Sequence, residues 1–283
     1  HVLRRRQRQM CIRDSNSTFK NLQKNKSKAL VTYTVAGDPD LELSEEIIEE
    51  IIKSGADIIE IGVPFSDPMS EGPVIQLAHE RSLKNKTSLP EILSLSKRLK
   101  KKFNNTPIVL MGYFNTFINS LNSDNNFHDI NDEICEELKN SGVDGLIIVD
   151  LPFEESEVIF KKLSEYQIDL IRLISPTTSE LRINEIINNS SGFLYYVSLK
   201  GITGADISSY EELEKRVQNI KKITNIPIVV GFGIKDQQTA ENMSNFSDGV
   251  VIGSAIVDMI EHIKTKKTGN DFAKISKFVG EIK

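Results

Sequence analysis

Residues 57–72 read DIIEIGVPFSDPMSEG. The apolar run at 57–63 has strand length, holds a single internal carboxylate, Glu60, and ends in a loop of Pro, Ser, Asp and Gly. A charged side chain in a buried strand is costly unless it is paired, hydrogen-bonded or neutralised. Eleven positions after Glu60 the loop carries a second acid, Glu71, next to Gly72. One acid at a strand end and another on the following loop are the materials of a proton-transfer site. On the residues alone a plainer account stands beside it, in which Glu60 pairs with a buried Arg or Lys and Glu71 is a solvated loop residue.

Outward from this stretch, from about residue 28, short apolar runs alternate with longer amphipathic ones. Strands are expected at 29–35, 57–63, 107–112, 145–149, 170–174, 193–198, 227–231 and 249–252, eight in all. Helical patterns fall between them at 41–54, 89–102, 154–166, 179–189, 210–224 and 237–245, with 254–265 closing the series. Leu43, Ile47, Ile48, Ile51 and Ile52 form one apolar stripe of the first. Alternating strands and helices predict a parallel sheet covered by helices. Eight units in the 283-residue chain fit an α/β fold of the (β/α)8 TIM barrel type better than an open sheet. The widest gap, between the second and third strands, holds the acidic loop and an extra helix near 75–85.

The remaining composition bounds the function. A formal charge of −5 with mixed signs argues against nucleic acid as the main partner. Lys97, Arg98, Lys100, Lys101 and Lys102 gather at a helix end, where cations complement the macrodipole. Cys11 and Cys135 make neither a metal spacing nor a disulfide framework, and His1, His79, His128 and His262 are scattered singly, so no metal site is expected. That cysteine usage suits a reducing cytoplasm. No apolar stretch reaches the roughly 20 residues that cross a bilayer, so no membrane span is expected. Residues 1–15, HVLRRRQRQMCIRDS, are Arg-rich where the rest prefers Lys. They are expected to be a non-native leader, leaving residues 16–283 as a single barrel domain. The Asn/Ser-rich segment 119–126 is expected to be a surface loop.

In a barrel the loops leaving the strand C-termini build the active site, which puts Glu60 and Glu71 on one pocket. Three glycine-bearing turns also follow strands: GITG at 201–204, GFGI at 231–234 and IGSA at 252–255. The last two follow the seventh and eighth strands, where such barrels bind phosphate on glycine N–H groups and a helix N-terminus. Ser254 is placed to cap that helix and to offer its hydroxyl.

These residues bring a family into view. EIGVPFSDPMSEGPVIQ at 60–76, with AGDPD at 36–40, GVDGLIIVDLPFEE at 142–155, SPTT at 175–178, YVSLKGITGA at 196–205 and the two glycine turns, resembles the alpha subunit of tryptophan synthase. The resemblance runs from about Ala29 to the C-terminal region. It implies retro-aldol cleavage of indole-3-glycerol phosphate to indole and glyceraldehyde 3-phosphate. It also implies an alpha2beta2 assembly with a beta subunit that holds pyridoxal phosphate, and no cofactor in this chain. By the same resemblance Glu60 is the central acid and base, and Glu71 is the loop acid that accepts a hydrogen bond from the indole N–H. Gly204, Gly233, Gly253 and Ser254 would contact phosphate, Tyr195 and Phe232 would pack on the ring, and Thr203 would help position the loop acid. Docking of the beta subunit would use 64–69 and the loops near 36–40 and 115–119. One departure is plain: the family's usual loop acid is Asp in ADG, whereas this chain has Glu71 in SEG.

Two other readings share some of these residues. A sugar-phosphate isomerase or epimerase would use the same phosphate turns, yet would leave Glu60 and the long acidic loop unexplained. A non-enzymatic activating subunit would keep phosphate binding and docking without rapid catalysis.

Overall fold

The computed structural model describes residues 15–121, 130–197, 210–231, 233–263 and 269–283. Its strands are β1 (Ala29–Val35), β2 (Ile58–Gly62), β3 (Ile108–Gly112), β4 (Gly145–Ile148), β5 (Asp169–Leu170), β6 (Arg172–Ile174), β7 (Leu194–Val197), β8 (Ile228–Gly231) and β9 (Gly249–Ile252). All pair in parallel, in the order β5-β4-β3-β2-β1-β9-β8-β7-β6. The strand expected at 170–174 is therefore two short pieces rather than one. β5 bonds to β4 and β6 to β7, and the N–H of Ile171 between them reaches the Leu146 carbonyl at 2.9 Å. With the two pieces counted as one strand, the sheet is the eight-stranded closed barrel that the alternation predicts.

Side-chain alternation along each strand sorts the residues into two layers. One set, including Val31, Ile58, Val109, Ile147, Val229 and Val251, fills the barrel interior. The other, including Ile59, Ile61, Leu110 and Val230, meets the helices outside. Those helices are α1 (Ser15–Lys24), α2 (Leu41–Lys53), α3 (Pro73–Lys84), α4 (Leu89–Lys102), α5 (Phe114–Leu121), α6 (Asp132–Asn140), α7 (Ser156–Glu165), α8 (Glu180–Asn188), α9 (Tyr210–Lys221), α10 (Gln237–Ser244), α11 (Ser254–Glu261) and α12 (Gly269–Ile282). The extra helix expected after the second strand is α3, which starts two residues earlier with Pro73 in its first turn. Arg81 on α3 makes a two-pronged ion pair with Asp38 in the loop after β1, at 2.7 and 2.9 Å, so α3 holds the first two strand exits together. The cation cluster near the end of α4 is partly spent on ion pairs: Lys100 with Asp144, and Arg98 with Glu45.

Four helices go beyond the sequence reading. α5 runs into the start of the Asn/Ser-rich stretch expected to be a loop, and it buries Phe117 and Ile118 just ahead of that stretch. Residues 122–126 of that stretch lie outside the described residues. α6 and α12 complete the outer layer, and α1 precedes the barrel. Ser15, the last residue of the expected leader, opens α1, is buried, and donates a hydrogen bond to Asp169 at 2.9 Å. Phe19 packs from α1 into the barrel interior, its ring 5.8 Å from that of Phe193. Phe19→Ala should cost about 3 kcal/mol or more and lower the melting temperature by roughly 10 °C. A calorimetric scan that finds the variant within a degree or two of the parent would show that α1 is not part of the core.

Candidate active site

Along β2 the alternation turns Ile58, Glu60 and Gly62 inward. Glu60 is fully buried, and among the described residues neither carboxyl oxygen has a hydrogen-bond partner. Among the described residues the buried ion pair considered from the sequence is absent. Burial, and secondarily the charge of Glu71, pushes the Glu60 carboxyl up to about 8. Near neutral pH it therefore holds a proton and can release it within the range where general acids work.

Glu71 lies just before Gly72, the N-cap of α3. It too is buried rather than solvated, at 9% exposure. The Tyr113 hydroxyl donates to its Oε2 at 2.5 Å, and the Ser70 N–H donates in turn to the Tyr113 oxygen at 3.0 Å. Burial raises the Glu71 carboxyl and the Tyr113 bond opposes the rise. Tyr113 follows β3 and stacks on Phe65 of the acidic loop, with ring centroids 4.6 Å apart. Sequence reasoning missed it. Its only signal was a hydroxylated aromatic directly after a strand exit.

Both acids open on one cavity of about 240 Å³ at the C-terminal ends of the strands. Tyr33 and Tyr195 line it with them, over an apolar surface that includes Met111, Val74 and Ile75. Two inward glycines make room for the tyrosine rings. A Cβ on Gly62 would lie 2.3 Å from the Tyr33 hydroxyl, and one on Gly231 would lie 2.5 Å from the Tyr195 ring. Gly233, Gly253, Ser254 and Lys235, from the exits of β8 and β9, line the same cavity. Gly233 has φ +76° with open space around its missing side chain, so conformation rather than crowding calls for glycine. Gly253 is the N-cap of α11, and Ser254 begins that helix, whose first N–H groups have no partners within it. Of the residues expected here, Glu60, Glu71, Tyr195, Gly233, Gly253 and Ser254 meet at this cavity, while Thr203, Gly204 and Phe232 lie outside the described residues. Tyr33, Lys235 and the residues behind them were not foreseen. A larger groove, about 730 Å³ between α8 and α9, contains neither acid.

Among the described residues no group of His, Cys, Asp and Glu is arranged to hold a metal ion, and no helix is long and apolar enough to cross a membrane. A closed parallel barrel with two buried acids at its strand exits defines a (β/α)8-barrel enzyme. Comparison narrows the class. Residues 19–283 match the family model of the tryptophan synthase alpha chain. The alpha chain of Petrotoga mobilis is 41% identical over 268 residues, spanning 95% of this chain and 98% of its own length. That of Geotalea daltonii is 44% identical over 269 residues, spanning 95% and 97%. Among solved structures, tryptophan synthase subunit alpha from Legionella pneumophila str. Paris has a TM-score of 0.83 at 35% identity, covering 95% of this chain and 96% of the other. The chain belongs to the tryptophan synthase alpha chain family.

Proposed function

We propose that Glu60 and Glu71 divide the acid–base work of this family's reaction between them. The chain is a lyase of tryptophan biosynthesis that cleaves indole-3-glycerol phosphate to indole and glyceraldehyde 3-phosphate. It acts as the alpha subunit beside a beta subunit in an alpha2beta2 assembly, and the pyridoxal phosphate belongs to that partner. Cleavage needs a proton on the indole C3, loss of a proton from the adjacent glycerol hydroxyl, and support for positive character on the ring nitrogen. Protonated Glu60 gives its proton to C3. Its carboxylate then takes the hydroxyl proton as the carbon–carbon bond breaks, and the bonding pair returns to the indole ring. Glu60 ends as it began, so no net proton is consumed. Glu71 accepts a hydrogen bond from the indole N–H while the nitrogen carries positive character.

The observation that carries this reading is a fully buried carboxyl, raised to about 8 and without a hydrogen-bond partner among the described residues, sharing a cavity with a second buried acid. Phosphate is assigned to Gly233, Gly253 and Ser254 of that cavity and ring packing to Tyr195, and the family resemblance adds Gly204 for phosphate, Phe232 for the ring and Thr203 for loop positioning, three residues that lie outside the described ones. Gly253→Asp puts a carboxylate against the anion and should raise KM strongly, whereas Ser254→Ala should raise it only mildly. If inorganic phosphate and glyceraldehyde 3-phosphate both fail to compete with substrate, the phosphate assignment is wrong.

The direct test is release of indole from indole-3-glycerol phosphate by the purified chain, alone and then with a beta subunit. Release that rises with the beta subunit is expected; none under either condition overturns the proposal. For docking, the loop 64–69 is the favoured surface together with the loop near 36–40 and the segment near 115–119, which lies within α5 rather than in the loop expected from the sequence. Support comes from Met69, which is 81% exposed on the same loop that carries Glu71. Work in the cytoplasm is part of the same proposal, supported by the burial of Cys135 as a thiol in the core.

A further inference from the structure

Tyr33 on β1 is in register with Glu60 on β2, and both side chains face the cavity. Tyr33 is 4% exposed and its ring leans over Gly62, one inward position beyond Glu60. Its hydroxyl lies 3.4 Å from His79 Nε2, and the backbone N–H of Phe65 donates to His79 Nδ1 at 3.0 Å. A neutral imidazole that accepts at Nδ1 carries its proton on Nε2. Burial keeps His79 neutral, holding it down at about 4. The Nε2–H therefore donates to the Tyr33 oxygen, and the tyrosine's own proton points elsewhere. Among the described residues that proton has no acceptor, while the two oxygens of Glu60 have no donor. Buried polar groups left in this state are rare unless a step of function completes them.

We infer that Tyr33 is a further positioning residue for the reaction: aimed by His79, its hydroxyl donates a hydrogen bond to the Glu60 carboxylate during the interval in which Glu60 is ionised. The inference rests on the reading of Glu60 as acid and base, and adds the group that steadies its charged form. Glu60 needs such a group. Among the described residues the other ionisable groups around it are Glu71 from the loop after β2, Tyr195 from β7 and, at the rim, Lys235, while β3 presents Val109 and Met111. Tyr113 stands behind Glu71 and His79 on α3 stands behind Tyr33.

The experiment compares pH profiles of kcat and kcat/KM for the parent chain, Tyr33→Phe, His79→Leu and His79→Gln. Alongside them runs a ¹³C NMR titration of the Glu60 carboxyl, assigned by the signal that Glu60→Gln removes. Activity of the parent should fall above about pH 8, as Glu60 loses the proton it must donate. Tyr33→Phe should lower kcat about tenfold, leave KM nearly unchanged, and move both the alkaline limb and the Glu60 titration upward by about one unit. His79→Leu should move them the same way by less, and His79→Gln, which keeps an N–H donor, should restore part of the shift. Lost packing alone lowers rate or stability without raising that titration. A rate loss in Tyr33→Phe with the limb and the titration unmoved overturns the inference and leaves the role of Glu60 standing. If Glu60 of the parent titrates in the ordinary carboxylate range, or Glu60→Gln keeps its turnover, the underlying reading fails and the inference with it.

Discussion

Glu60→Gln should lower indole release by at least about two orders of magnitude while substrate binding, measured by KM or by competition with phosphate, changes little. Glutamine keeps the shape of the side chain and fills the same space between β1 and β3, but it can neither give a proton to C3 nor take one from the glycerol hydroxyl. The fold should not suffer. Because burial raises the Glu60 carboxyl to about 8 from 4.5, the folded chain binds a proton that the unfolded chain has released across that window. Glu60 therefore costs stability increasingly as pH rises from about 4.5 to about 8, and the cost levels off above. The glutamine variant escapes it, so its melting temperature should gain on the parent between about pH 5 and pH 9. Near-normal turnover by Glu60→Gln would reduce Glu60 to a buried structural acid and sink the mechanism, whatever the barrel proves to bind.

Glu71→Ala should be nearly inactive, and the reason is double. It removes the acceptor for the indole N–H, and it leaves the Tyr113 hydroxyl without the carboxylate to which it now donates. Glu71→Asp restores the residue more usual in the family and should keep the rate within about tenfold in either direction, because charge and acceptor oxygens persist. In this chain the longer acid is seated on the Tyr113 hydroxyl. Turnover measured for both variants at saturating substrate separates the cases. An alanine variant that retains most of the parental rate would mean that the loop acid only shapes the loop.

The barrel was legible in the sequence because its causes are local and repeated. Each inward or outward strand position alternates with period two, each helix carries one apolar stripe, and eight such units leave few other architectures open. The two acids were legible for the same reason, since a lone carboxylate inside 57–63 is conspicuous against Ile58, Ile59 and Ile61. Less visible were elements whose burial depends on distant partners. α1 gains its place from the meeting of Phe19 with Phe193, far apart in the chain, and α5 is short and runs into the Asn/Ser-rich stretch that reads as loop. The fifth strand reads as continuous, yet its hydrogen bonding passes from β4 to β7 at Ile171.

The sequence by itself determined the fold class, the position of Glu60 on the second strand and Glu71 on the loop after it, and the glycines Gly233 and Gly253 at the exits of the last two strands. It left open whether Glu60 met a cation and whether Glu71 met water, because partners from other strands have no fixed spacing along the chain. Only the tertiary structure decided these points. Closing the barrel brings Tyr33 in register with Glu60, Tyr113 onto Glu71 and His79 behind Tyr33, while among the described residues no cation bonds to Glu60. Desolvation is a property of everything packed around a group, so the rise of Glu60 to about 8 comes into being only when the strands meet.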